Sequence, residues 1–112
     1  MSHQQFQACI EACVACAESC EHCAESCLHE KDIAAMADCI RLDRDCAQLC
    51  WDAAAFMSRN SQFANELCRI CADACEACGT ECRKHQAEHC QQCSNACEQC
   101  AKECRQMVGA TT

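Results

Sequence analysis

Cysteine recurs along this chain at alternating steps of three and four residues. Such steps average about 3.5 residues, the spacing of positions on the side of a helix that faces a partner helix. Glu11, Glu18 and Glu25 recur every seven residues on the opposite side of the first segment, where charged groups contact water. The pattern predicts an amphipathic helix whose inner side carries thiols. The first run is Cys9, Cys13, Cys16, Cys20, Cys23 and Cys27.

The same spacing returns twice in the second half of the chain. The segment from Cys71 to Cys82 has the spacing C-x3-C-x2-C-x3-C and reappears 22 residues later as the segment from Cys93 to Cys104. The repeat is one helix long, so it indicates helices of one design rather than a solenoid. The two runs are Cys68, Cys71, Cys75, Cys78 and Cys82, followed by Cys90, Cys93, Cys97, Cys100 and Cys104.

The second segment departs from this design. Leu42, Leu49 and Phe56 recur at seven and form an apolar stripe beside the inward line. The stripe can pack internally or against another subunit, and we favour self-association because the other helices offer little apolar area. The predicted inward line is Met36, Cys39, Asp43, Cys46, Cys50, Ala53 and Met57.

Short polar breaks divide the chain into four predicted helices. They run over about residues 2–28, 32–57, 60–84 and 88–108, with errors of two to four residues. Short connections make consecutive helices antiparallel, so we expect an all-α, up-down-up-down four-helix bundle with a Cys-lined core, a single domain over residues 1–112. The candidate N-caps are Ser2, Asp32, and either Asn60 or Ser61.

The chain has few of the large apolar residues that usually fill and stabilise a protein core. Leu, Ile, Val and Phe together number 13 of 112 residues, and the net charge is −8. We expect metal or subunit contacts to supply the missing stability. The acidic balance disfavours nucleic acid, which is bound by clustered Lys and Arg. No apolar run approaches the roughly 20 residues of a membrane span, so we expect no membrane partner.

The cellular compartment decides the state of the thiols. The first eight residues lack the basic and apolar regions of a signal peptide, which predicts a cytoplasmic protein with free thiols. Disulfide-rich domains tend to use Gly and Pro at turns, but this chain has 2 Gly and no Pro. Nineteen Cys is also an odd number, which would leave one unpaired. We therefore favour free thiols over disulfides.

Free thiols in this number favour a soft metal ion. Thiolates select Cu(I), Zn(II) or iron–sulfur clusters. Zn(II) takes four closed tetrahedral ligands, and the usual iron–sulfur spacing is missing here. Cu(I) accepts two or three sulfurs, and a thiolate that bridges two ions keeps the core neutral. The prediction is on the order of one Cu(I) per Cys, about 15–20 per chain.

Other interpretations of the thiols remain. Cys can pack as a small hydrophobe, but 19 in register would fill a core poorly. Nucleophilic catalysis needs one activated thiol, whereas these are many and equivalent, so we expect no enzyme. A copper chaperone, a zinc store and a thiol buffer are the alternative functions. A chaperone normally uses one exposed two-Cys site, which makes metal capacity the discriminating property.

Several residues can assist at one end of the bundle. The connections between helices one and two and between helices three and four lie at the same end, which gathers His29, His85, His89 and Met36. Imidazole and thioether are both copper ligands, so this end is a candidate mouth through which Cu(I) passes to the thiols. Ordinary polar loop residues are the alternative interpretation.

Two further features lie on the predicted inward surfaces. Asp43 falls on the Cys line, and a buried carboxylate needs a partner or a metal. It can ligate Cu(I) or pair with Arg41 or Arg44, and the sequence leaves both open. Met57 and Met107 fall at the opposite end, where we expect them to close the core by apolar packing rather than to bind metal.

These residues resemble a known family. The spacing C-x3-C-x2-C-x3-C on three helices, Cys-Ile-Arg-Leu-Asp-Arg-Asp-Cys at 39–46 and Cys-Glu-Ala-Cys-Gly-Thr-Glu-Cys at 75–82 closely resemble the cytosolic copper storage proteins of bacteria. The resemblance covers nearly the whole chain. It implies a bundle that holds many Cu(I) ions and assembles as a homotetramer, with the 19 Cys as main ligands. It also implies auxiliary ligands at Asp43, Met36, His85 and His89.

Overall fold

Four helices make up nearly all of the described chain. The structure, a computed structural model, describes residues 3–111, and the side chains of residues 4–109. The helices are α1 (His3–Cys27), α2 (Ala37–Ser58), α3 (Ala64–Arg83) and α4 (Glu88–Thr111), and a 3-10 turn (Ala34–Met36) precedes α2. The predicted number and type of elements are confirmed. The proposed cap Ser2 lies outside the described residues.

The helices form a closed antiparallel ring. Each helix packs against the next along the chain, and α1 packs against α4. The start of α1 meets the end of α4, where the sulfurs of Cys9 and Cys104 are 3.6 Å apart. The end of α1 meets the start of α4, where the sulfurs of Cys23 and Cys90 are 3.9 Å apart. The predicted up-down-up-down bundle is therefore confirmed, with extents of 46 × 19 × 17 Å.

Side chains in the connections order two of the turns. The Asp32 carboxylate accepts a hydrogen bond from the Ala35 backbone N–H at 3.2 Å, so Asp32 caps the 3-10 turn rather than α2 itself. Asn60 has a φ of 53°, the left-handed conformation that Asn tolerates better than most residues. The Ser61 hydroxyl accepts a hydrogen bond from the Phe63 N–H at 3.0 Å. Ser61 therefore closes the turn before α3 and does not cap the helix directly.

A close approach of α3 and α4 depends on small residues. A Cβ added at Gly79 would lie 3.2 Å from the Cys97 Cβ. The buried Ser94 hydroxyl donates to the Gly79 carbonyl at 2.9 Å and accepts from Arg83 at 2.6 Å. This contact joins the two helices at Gly79 and Ser94, and it fixes the register of the two repeated Cys runs.

The two ends of the bundle differ in chemistry. Phe6, Ile10, Met57 and Met107 are buried together at the end that carries the α1 N-terminus, so apolar side chains close it. The opposite end carries the connections after α1 and α3. We call this second end, formed by residues 28–33, Met36, residues 84–87 and the first turn of α4, the mouth. No helix in residues 3–111 is both long and apolar enough to cross a membrane.

The apolar stripe of α2 is only partly covered. Leu42, Leu49 and Phe56 are half-buried and pack against the core. Ile70 on α3 is 51% exposed and lines a shallow groove with Leu42 and Leu49. Internal packing therefore accounts for part of the stripe, and an apolar surface remains between α2 and α3.

Candidate metal centre

All 19 cysteine side chains point into the bundle. Each is a free thiol, and none is more than 1% exposed. The inward line predicted for the second helix is buried as well, including its one carboxylate. The helical ring thus encloses a core built mainly of sulfur and closed to water. The members of the α2 line are Met36, Cys39, Asp43, Cys46, Cys50, Ala53 and Met57.

Sulfurs from different helices lie within direct reach of one another. The Cys16 Sγ is 4.0 Å from Cys20, 3.9 Å from Cys46, 4.0 Å from Cys75 and 3.8 Å from Cys97. These neighbours belong to all four helices. Three sulfurs around one ion at about 2.3 Å would lie about 4.0 Å apart. The thiols of the apo protein are therefore already spaced for shared coordination.

Groups of four sulfurs overlap along the bundle axis. In each group the ligand atoms all lie within 4.8 Å of one another. Because adjacent groups share members, separate four-ligand sites cannot all be filled, whereas ions linked by bridging thiolates can be. Overlap therefore favours a continuous polynuclear array. Three adjacent groups are Cys16, Cys46, Cys50 and Cys75; Cys16, Cys20, Cys46 and Cys97; and Cys20, Cys78, Cys93 and Cys97.

Asp43 lies inside the thiol array. Its side chain is fully buried, and Cys78, Cys93 and Cys82 donate S–H hydrogen bonds to Oδ1 at 3.1, 3.3 and 3.5 Å. Cys39 donates to Oδ2 at 3.7 Å. The carboxyl group thus contacts thiols from α2, α3 and α4, and it stands among the same atoms that would hold a metal ion.

The environment of Asp43 favours its protonated form. Burial, which disfavours the charged form, raises the pKa of the carboxyl group to about 8. Of the two alternatives for Asp43, the pairing with arginine is not observed, because its partners are thiols. Arg41 instead bonds the exposed Asp38 at 2.9 Å, and Arg44 lies exposed on the outer side of α2. Both arginines lie two positions or fewer from Asp43 in sequence, which directs them away from the inward line.

Burial opposes the ionisation of two thiols near the mouth. Burial raises the pKa of Cys90 to about 11 and also raises the pKa of Cys27. Among the side chains of residues 4–109, the buried polar or charged groups are Asp43 and Ser94, so the core holds no buried Lys or Arg to offset thiolate charge. Metal binding here requires protons to leave as cations arrive.

His89 reaches the thiols at the mouth. Its Nδ1 lies 3.4 Å from the Cys23 sulfur and 3.5 Å from the Cys90 sulfur, and its Nε2 lies 2.9 Å from a Glu30 carboxylate oxygen. The side chain is 14% exposed, so it connects the solvent with the core. His89 is the predicted mouth histidine whose ring nitrogen contacts sulfur.

The other predicted mouth residues are placed differently. His85 is largely buried at the same end, and its Nε2 hydrogen-bonds Glu81 at 3.0 Å. Although burial opposes it, hydrogen bonds from His85 and Lys84 lower the pKa of Glu81. Met36 is buried in the 3-10 turn. His29 lies in the connection at the same end, but its side chain is exposed and its Nε2 pairs with Glu25 at 3.0 Å.

Two residues in these contacts were not identified from the sequence. Glu30 lies in the connection after α1, where no periodic pattern indicates which side chain it meets. Ser94 occupies a buried position of α4 that the corresponding repeat fills with Ala72. Both repeated segments thus carry a small residue at this position, and that pattern is the sequence feature that could have indicated a close contact between the helices.

The fold and the core define a class: a helical bundle whose interior is an array of thiols suited to many soft metal ions. The family model described as Csp, copper storage protein, matches residues 2–109. The chain belongs to the copper storage protein family. A comparison with curated protein sequences gave no match.

Solved structures of two relatives are similar along nearly their whole length. The Cu(I)-bound copper storage protein BsCsp3 is 50% identical with a TM-score of 0.89, over 92% of this chain and 97% of that one. The apo form of copper storage protein 3 from Bacillus subtilis is also 50% identical, with a TM-score of 0.85, over 92% and 98% of the two chains. The fold is thus shared by a copper-loaded and a copper-free protein.

The second relative comes from Streptomyces lividans. Its structure loaded with 10 copper equivalents is 39% identical with a TM-score of 0.87, over 90% of this chain and 81% of that one. A structure described as a cytosolic copper storage protein with five coppers is 37% identical with a TM-score of 0.91, over 96% and 94% of the two chains. This relative is thus described with five coppers and with 10 copper equivalents.

Proposed function

We propose that this protein stores Cu(I) at high capacity in its buried thiol array. The observation that carries the proposal is the overlap of the four-sulfur groups, in which one thiol such as Cys16 or Cys20 belongs to more than one group. Bridging thiolates suit Cu(I), which accepts two or three sulfurs and balances one thiolate charge per ion. The copper-loaded relatives support this choice of metal.

The proposed ligands are the 19 Cys, assisted by Asp43, Met36, His85 and His89. The sulfur spacing and full burial support the Cys. The contacts of the Asp43 carboxyl group with four thiols support a ligand role within the array. His89 is supported by its distances to two sulfurs, and His85 and Met36 by their position at the same end.

Uptake at the mouth follows from the difference between the two ends. Phe6, Ile10, Met57 and Met107 block one end, whereas polar histidines stand before the thiols at the other. Replacing both His85 and His89 by Phe should slow Cu(I) uptake and release, and replacing the exposed His22 should not. Unchanged rates in the double variant would contradict this route.

Storage is favoured over the alternatives by the burial of the array. A chaperone must present its site to a partner, but every thiol here is buried. A redox or catalytic thiol needs one activated, accessible sulfur, so we infer that the protein has no enzymatic turnover. Zinc storage would leave two negative charges at each four-thiolate site in a dry core, which is costly.

We also propose a cytoplasmic homotetramer without membrane or nucleic-acid partners. The reducing cytosol keeps thiols free, and one relative is described as cytosolic. The groove formed by Leu42, Leu49 and Ile70 offers an apolar surface for another copy of the chain. Light scattering should give four times the chain mass for the wild type, and Ile70→Glu should lower it.

Competition between metals tests the proposed function. Reduced protein is loaded anaerobically with Zn(II), then titrated with Cu(I), and bound metals are counted after desalting. Cu(I) should displace all Zn(II) and exceed it several-fold in number. Retention of Zn(II) against equimolar Cu(I) would instead support zinc storage, and rapid oxidation of the thiols by peroxide would support a redox role.

A further inference from the structure

The contact between Glu30 and His89 joins two separate elements at the mouth. Glu30 lies in the connection after α1, and His89 lies in the first turn of α4. Their side chains meet at 2.9 Å, from a Glu30 carboxylate oxygen to the Nε2 of His89. We propose that Glu30 is a positioning residue that directs the Nδ1 lone pair of His89 at the thiols, and this rests on the Cu(I) storage proposed above.

The chemistry of the two groups fixes the proton on the imidazole ring. An ionised carboxylate only accepts hydrogen bonds, so Nε2 must carry the hydrogen. In the neutral ring Nδ1 then has a free lone pair. That nitrogen faces the sulfurs of Cys23 and Cys90 at 3.4 and 3.5 Å, and the two sulfurs are 3.9 Å apart. Nitrogen and two sulfurs form a triangle suited to one three-coordinate soft ion.

A carboxylate behind a ligating imidazole has two effects. It holds the ring in the orientation that ligation requires, and it makes the ligating nitrogen more basic. Without Glu30, rotation of the ring would exchange the nitrogen that faces the sulfurs. The first ion at the mouth would then meet two sulfurs and a disordered third ligand.

The same end of the bundle supplies matched controls. Glu25 pairs with His29 and Glu81 pairs with His85, but each of these pairs joins residues only four apart in sequence. The His29 side chain is 75% exposed, whereas that of His89 is 14% exposed. Glu25→Ala therefore removes the same charge near the mouth without touching the His89 contact.

The test begins with the apo protein, so that it does not depend on copper. Long-range nitrogen–proton NMR of 15N-histidine-labelled, reduced protein reports which ring nitrogen of each neutral histidine carries the hydrogen. Wild-type His89 should be the single Nε2–H form. In Glu30→Ala the Nδ1 and Nε2 resonances of His89 should move toward each other as tautomers and ring orientations exchange. Glu30→Gln, whose amide oxygen can still accept, should lie between them, and Glu25→Ala should match the wild type.

Copper then tests the direction of the lone pair. Cu(I) is diamagnetic, so the first added equivalents should shift the Nδ1 resonance of wild-type His89 and leave Nε2 protonated. Glu30→Ala should slow Cu(I) transfer from a chelator by about tenfold, the lower end of the effect of such outer carboxylates. Glu25→Ala should transfer at the wild-type rate.

The outcomes separate this inference from the storage function. Unchanged His89 resonances in Glu30→Ala would overturn it, because packing alone would then hold the ring. A copper-induced shift at Nε2 in the wild type would overturn it too. Should the wild type bind no Cu(I), the storage proposal fails, while the apo spectra still decide whether Glu30 positions His89. Circular dichroism of Glu30→Ala should match the wild type, since Glu30 lies outside the helices.

Discussion

Replacing Asp43 by Asn should make the apo protein more stable at pH 8 and flatten its stability against pH. Burial raises the pKa of Asp43 from 3.8 to about 8 in the folded protein. The folded state therefore holds a proton that the unfolded state releases. The contribution of Asp43 to the free energy of unfolding is fully present below pH 4 and is lost as pH rises from about 4 to about 8.

The size of the effect follows from the same shift. One pKa unit corresponds to about 1.4 kcal/mol, so the wild-type free energy of unfolding should fall by roughly 5 kcal/mol over this range from Asp43 alone. Asn keeps the shape of the side chain and an oxygen that accepts from the thiols, but it has no proton to lose. The two proteins should therefore agree near pH 4 and diverge toward pH 8.

Anaerobic denaturant unfolding of the reduced, metal-free proteins between pH 4.5 and 8 measures this difference. Asp38→Asn is the control, because Asp38 lies on the same helix, is exposed and pairs with Arg41. It should change stability by less than about 1 kcal/mol at every pH. Parallel curves for the wild type and Asp43→Asn would refute the argument, since Asp43 would then titrate alike in the folded and unfolded states.

Two further predictions concern the helix contact and the thiol protons. Gly79→Ala should lower the free energy of unfolding by about 1 kcal/mol in thermal melts, because the crowding against Cys97 outweighs the helix preference of Ala. Gly109→Ala should not lower it, since an added Cβ there meets nothing within 4 Å among the described residues. Loading with Cu(I) at pH 7 should release about one proton per ion in an unbuffered pH-stat titration, because a thiol loses its proton when it binds a metal ion as a thiolate. Release of fewer than one proton for every three ions would mean that the apo core already holds thiolates.

The periodic part of the molecule was predictable from the sequence. A thiol at every third or fourth position marks one side of each helix, and that side must face the interior of a bundle. The bundle and the inward line through Cys39, Asp43 and Cys46 were therefore predicted correctly. Helix ends were less accurate. The 3-10 turn delays α2 to Ala37, because Asp32 bonds the backbone of that turn rather than of the helix.

Contacts between distant segments were not predictable in the same way. Arg41 and Arg44 are the basic residues nearest to Asp43 in sequence, but helical geometry turns them outward, and its real partners include thiols on α3 and α4. Glu30 lies in a connection without periodicity, so its contact with His89 depends on how the ends of α1 and α4 meet. The single-domain extent over residues 1–112 and the metal ligands remain predictions.

The most direct test of the thiol array is an anaerobic Cu(I) titration of the fully reduced protein, with bound copper counted per chain against a competing chelator. Bridged sulfurs predict saturation at about 15–20 ions per chain, close to one for each Cys. Saturation at one to four ions would show that the sulfurs act as a few separate sites, and it would contradict the account of a continuous copper-storing core.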